Sequence, residues 1–217
     1  MPRISTTLAT LALILAPAAA QAQAMAVRVL ASRQVPAGVA FAGRVEAARQ
    51  WTDRTGENLL LLTRTPEVPT PDGSNDDARD RELHAYHYVR QGAGWRLLWQ
   101  TRDFVRDCPW DVVLSFVPGS LQVSDADRDG VAETAFVYRL ACRSDVSPGD
   151  VKLIMHQGAT KYAIRGTGDM RYLGSGYPAP QMRIDPALAA NPALRAAAVR
   201  LWNRCVREPA EEETGAP

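Results

Sequence analysis

The sequence predicts a mainly β protein: an antiparallel sheet, arranged as a sandwich, partial barrel or meander, with a C-terminal α-helix. Three observations carry this reading. Residues 26–168 break into short apolar or alternating runs separated by turn signals. Tight glycine-containing turns join successive runs into hairpins, as at QGAG (91–94) and GAT (158–160). Helical apolar spacing begins only after Gly176. No repeat of 20–50 residues is visible, which argues against a propeller.

The elements follow in order. AVRVLASRQV (26–35) alternates weakly and stops at Pro36. GRVEAARQW (43–51) leads through the turn DRTGEN (53–58) into NLLLLTR (58–64), a continuous apolar run that reads as a central strand. PEVPTPDGSNDDARDRE (66–82) is rich in proline and acids, and is expected to be a mobile loop. ELHAYHYVR (82–90) and WRLLWQTRDFV (95–105) form the first hairpin. DVVLSFVP (111–118) and SLQVSD (120–125) lead into an acidic loop, and TAFVYRLAC (134–142) leaves it. VKLIMHQ (151–157) and KYAIRG (161–166) form a further hairpin. Asn191-Pro192 is an N-cap with proline in the first turn, opening a helix over 193–207.

The N-terminus has the pattern of a secretory signal peptide: Arg3, an apolar run over 8–20, and Ala22-Gln23-Ala24 as the cleavage site. The expected organisation is therefore a leader over 1–24, a β-rich domain over 25–180, a helical segment over 181–208 packed on the sheet, and a solvated tail over 209–217. Losing Arg3 would leave basic and acidic residues in balance. A neutral chain without a basic block is a poor candidate for nucleic acid or anionic membranes. No later run is long and apolar enough to span a bilayer. Lysine occurs only at 152 and 161, and arginine takes its place elsewhere. With the alanine-rich leader this composition is that of a bacterium with a GC-rich genome. An exported protein can oxidise its thiols. Three cysteines allow one bridge. Cys108 and Cys142 are the favoured pair, each beside turn residues, while Cys205 shares a helix face with Leu194, Ala198, Leu201 and Trp202 and reads as a buried thiol.

DADRDGVAE (125–133) places Asp125, Asp127, Asp129 and Glu133 at alternating positions, with Gly130 permitting the bend. Calcium takes six to eight oxygens, which such a turn can supply, and the backbone carbonyl of Val131 would add another. Arg128 should point outward. Phe136 stands where an EF-hand needs a bidentate glutamate, so a helix–loop–helix site is excluded. A solvated acidic β-turn would use the same residue types. Without metal, four carboxylates this close repel and raise one another's pKa. The expected ligand is structural calcium, bound at about 10⁻⁴–10⁻³ M and fastening the hairpin around the loop.

Other candidates for chemistry are weaker. His84 and His87 are three apart in a strand and must face opposite ways. His156 stands alone, and all three read as packed or surface side chains. Asp103, Asp107, Asp111, Asp145 and Asp150 lie near strand ends, and Trp95, Trp99 and Trp110 could stack on sugars, as a glycosidase requires. Acids at turns and tryptophans in a core account for the same residues. No catalytic residue is assigned. CRSDVSPGDVKL (142–153) reads as a tight turn packed against the acidic loop.

With Glu133 in its ninth position, the loop resembles the calcium-binding hairpin loops of integrin-type FG-GAP repeats. Dockerin and thrombospondin type 3 repeats share the D-x-D-x-D-G opening. Over most of the chain, WTDRTGENLLLLT (51–63), HAYHYVR (84–90), LLWQTRDFVRDCPWDV (97–112), DADRDGVAETAFVYRLACRSDVSP (125–148) and KLIMHQGATKYAIRG (152–166) resemble a family of uncharacterised exported bacterial proteins sometimes labelled surface-polysaccharide biosynthesis proteins. The resemblance implies export and a shared acidic loop, and it implies no reaction. The expected role is a non-catalytic envelope protein whose partner is an envelope protein or a glycan. The alternative is an accessory protein or enzyme acting on surface polysaccharide.

Overall fold

Among the described residues, twelve strands form two six-stranded antiparallel sheets, which pack face to face as a sandwich. The computed structural model describes residues 25–207. The expected leader and the tail after Arg207 lie outside the described residues. The first sheet holds β1 (Val27–Val29), β2 (Arg44–Asp53), β3 (Gly56–Arg64), β4 (Val68–Pro69), β5 (Arg79–Gln91) and β6 (Gly94–Cys108). Its order is β1-β2-β3-β5-β6, with the short β4 continuing the β3 side of β5. The second sheet holds β7 (Asp111–Phe116), β8 (Gln122–Ser124), β9 (Glu133–Arg143), β10 (Asp150–Gln157), β11 (Thr160–Thr167) and β12 (Met182–Ile184). Its order is β12-β11-β10-β9, with β7 and β8 sharing the far side of β9. No barrel closes.

Alternation explains the layers. In β9, Phe136 and Tyr138 face the first sheet, while Ala135 and Val137 face a helix, α2 (Pro192–Cys205). β9 is therefore buried on both faces, which accounts for its nearly continuous apolar run. Leu60, Leu62, Leu83 and Ile154 fill the space between the sheets. Val151, Leu153 and Ile164 pack under Leu194, Ala198, Leu201, Trp202 and the free thiol of Cys205. Asn191 caps α2 through its side chain, which accepts from the Leu194 N–H at 3.2 Å.

The outer face of the first sheet is covered too. Leu30, Val35 and Val39, from the segment before β2, lie over Leu59, Leu61, Tyr86 and Tyr88. Gly43 turns that segment into β2 at φ 78°, where an added Cβ would fall 2.6 Å from the Arg64 carbonyl carbon. Residues 26–35 are thus only partly a strand; after β1 the chain leaves the ladder to become this cover. The 66–82 segment also differs from the mobile loop expected. Its ends join β4 and β5, and Ala78 is buried. Asp107 accepts from the Ser74 N–H at 2.6 Å, and the Thr70 hydroxyl donates to Asp80 at 2.5 Å. Polar side chains from β5 and β6 therefore supply what apolar burial does not.

β7 and β8 are one strand interrupted. At the break, the Ser120 hydroxyl donates to the Val137 carbonyl at 3.2 Å and accepts from its N–H at 3.1 Å, replacing the missing ladder. The expected disulfide is present: Cys108 at the end of β6 joins Cys142 near the end of β9, with Cα atoms 5.6 Å apart. It ties one sheet to the other.

Candidate metal centre

β8 and β9 pair Ser124 with Glu133 and so close the loop 125–132. Inside it, short-range hydrogen bonds fold the chain around its own acids. Asp125 Oδ2 accepts from the Gly130 N–H at 3.0 Å, Asp127 Oδ1 from Asp129 at 3.3 Å, and Asp129 Oδ1 from Val131 at 2.7 Å. Arg128 and Gly130 take left-handed backbone, at φ 62° and 83°. Arg128 is exposed, as its position in the pattern requires.

Asp125, Asp127 and Glu133 come together. Each offers an oxygen within 4.8 Å of the others, and the triad could hold a metal ion. Oxygens bound to one calcium at 2.3–2.6 Å lie no further apart than about 5 Å, so the spacing fits. Asp129 stands beside this triad and instead faces Arg54, 3.9 Å away. The backbone of Val131 is engaged through its N–H to Asp129.

Glu133 differs from the aspartates because it is only 1% exposed. Its Oε2 accepts from the Ala126 N–H at 2.6 Å and its Oε1 from Gln157 Nε2 at 3.1 Å. Burial, with the charges of Asp127 and Asp125 nearby, pushes its carboxyl up to about 7. The same Gln157 nitrogen lies 2.8 Å from Asp127 and 3.2 Å from Asp129. One amide carries two protons and here faces three carboxylates. Asp125 Oδ1 is buried with no hydrogen-bond partner among the described residues. The cluster is short of positive charge and of donors.

The loop is also fastened to the first sheet. Arg54 donates its backbone N–H to the Gly130 carbonyl at 2.9 Å. Asp53 Oδ2 accepts from the Ala132 N–H at 3.1 Å and from the Trp51 indole at 3.0 Å. Burial alone would raise the Asp53 pKa; hydrogen bonds from Thr55, Ala132 and Trp51 outweigh it and hold the carboxyl below its usual value. Neither Gln157 nor Asp53 stands out in the sequence. Each sits at the end of a strand, and only the register brings it to the loop.

The remaining candidates separate clearly. His84 faces outward onto Tyr86, while His87 faces the sandwich interior and bonds Asn58 at 2.9 Å. His156 stacks on Trp99 at 3.7 Å between the sheets. Neither ring nitrogen of His156 has a partner among the described residues, and burial lowers its pKa to about 3 and that of His87 to about 4. Asp103 accepts from Tyr138 at 2.8 Å and Lys152 at 2.6 Å. Trp99 belongs to the core, Trp95 lies under Arg90, and Trp110 is 59% exposed. The turn 144–149 does not touch the acidic loop, contrary to its expected placement. It follows the far end of β9, an eleven-residue strand whose first residue is Glu133. That separates the two by roughly 30 Å.

Among the described residues no helix is long and apolar enough to cross a membrane. The chain matches no protein-family model, no curated protein and no solved structure.

Proposed function

We propose that this chain is an exported, non-catalytic envelope protein whose acidic loop binds calcium as a structural ion. One observation carries the metal reading: Glu133, a nearly inaccessible carboxylate, sits against two aspartates with too few donors to balance them. A divalent cation supplies the missing charge. Asp125, Asp127 and Glu133 would hold it, with Asp129 and the Val131 carbonyl as further oxygens from the same turn. Calcium fits better than magnesium, which rarely accepts an all-protein cage. The ion's role is mechanical. It neutralises the loop, and the loop is bonded to the β2–β3 turn through Asp53 and Arg54. The disulfide and the leader-like N-terminus support export.

The test is thermal unfolding of residues 25–217 with calcium, with magnesium and with chelator. At an affinity of about 10⁻⁴ M, about 1 mM calcium stabilises the fold by roughly 1.4 kcal/mol. For a chain of this size that is about 3–6 °C in Tm. Asp127→Ala should abolish the response. An unchanged Tm in all three buffers would reduce the loop to an acidic turn.

A further inference from the structure

At the disulfide end of the sandwich, two shallow grooves of about 440 and 360 Å³ share Asp150 as a lining residue. Together they make one shelf running across β9 to β12. The first groove has Leu140 and Cys142 in its lining, the Trp110 indole beside them, and Arg143 and Asp145 as polar groups. The second presents Lys152, Arg165 and Arg183.

Those three cations are direct cross-strand neighbours: Lys152 pairs with Arg165, and Arg165 with Arg183. Like charges placed so are unfavourable unless something offsets them. Asp103 offsets Lys152 at 2.6 Å and Asp185 offsets Arg165 at 2.7 Å. Arg183 is exposed and has no carboxylate partner among the described residues. At the other end, Trp110 is the most exposed aromatic side chain described. An exposed indole beside a groove offers a flat face on which a ring can stack.

A flat indole at one end and the unpaired Arg183 guanidinium at the other select a particular chemistry. The apolar face of a sugar ring stacks on Trp110, and its hydroxyls reach Arg143, Asp145 and Asp150. A carboxylate further along the chain meets Arg183 as a charge-assisted pair. A peptide adding as a strand has only β12 as a free edge on this shelf, and that strand is three residues long. We infer that this shelf binds an oligosaccharide carrying uronic acids, with Trp110 as the stacking anchor and Arg183 as a carboxylate ligand. The site lies at the opposite end of β9 from the metal loop and stands or falls independently of it.

The test is calorimetric titration of the protein, without added calcium, with an oligoglucuronate and with a neutral malto-oligosaccharide of the same length. Saturable binding of the oligoglucuronate is expected, weakening as salt rises past about 0.1 M. Trp110→Ala and Arg183→Glu should each weaken it at least about tenfold, as for anchor residues. Trp110→Phe should retain part of it. Both positions are at the surface, so an unchanged Tm verifies folding. Equal affinity for the neutral sugar, no heat with either sugar, or binding untouched by both Trp110→Ala and Arg183→Glu would overturn the inference.

Discussion

Replacing Glu133 with Gln separates the two roles of that residue. In the fold its carboxyl titrates near 7 instead of 4.5. A pKa raised on folding contributes stability below the unfolded value and loses it as pH rises through the folded one. At pH 8, without metal, Glu133 is ionised in both states, and holding the charge buried costs up to about 3 kcal/mol, at roughly 1.4 kcal/mol per tenfold change in proton affinity. Gln keeps the acceptor for the Ala126 N–H, and the Gln157 amide can turn to present its oxygen to the new amide. In chelator at pH 8, Glu133→Gln should therefore be more stable than the parent by about 1–3 kcal/mol, near the parent at pH 5, and deaf to calcium. Urea unfolding at both pH values, with and without calcium, reads all four states. If the variant is destabilised equally at pH 5 and pH 8 in chelator, Glu133 acts by packing alone and the electrostatic reasoning fails.

Three further outcomes follow from the fold. Stability should fall as pH drops below 6.5 toward about 4 and then 3, because His87 and His156 are neutral in the core and take up protons on unfolding; His156→Phe, keeping the stack on Trp99, should flatten that slope in urea titrations at stepped pH. Removing the disulfide by Cys108→Ala with Cys142→Ala frees a loop with a sequence separation of 34 and should cost about 3–4 kcal/mol in denaturant unfolding; a loss under 1 kcal/mol would show that the sheets need no tie. Ser120→Ala strands the Val137 N–H at the break between β7 and β8, and should cost roughly 1–3 kcal/mol by thermal melting, whereas a surface serine would cost almost nothing.

Much of the fold was legible because local chemistry decides it. The run Asn58–Arg64, the turn at Gly92 and the cap at Asn191 each state their structure within a few residues. The pairing of Cys108 with Cys142 and the burial of Cys205 also followed from neighbours in the chain. What the sequence hid depends on register between distant strands. Nothing near Gln157 marks it as the amide facing three carboxylates, because it meets Glu133 only through the β9–β10 ladder. Asp53 reads as a turn residue, and becomes the fastening of the acidic loop only when the sheets stack. The loop itself was legible as a pattern, but the separation of Asp129 from the triad was not. The 142–153 turn lies at the opposite end of β9 from the acidic loop, and only the eleven-residue length of that strand decides this.

β9 is held like a beam clamped at both ends. Cys142 anchors one end to the first sheet by a covalent bond, and the residues around Glu133 anchor the other through hydrogen bonds and an acidic turn. With both clamps set, the sheets can neither slide past each other nor splay. Releasing the acidic end leaves a hinge at the disulfide, so the sandwich would part first around Thr134, His156 and Trp99, where polar groups already lack partners. Amide exchange on chelation would then run as a gradient along β9, fast at Thr134 and slow toward Leu140.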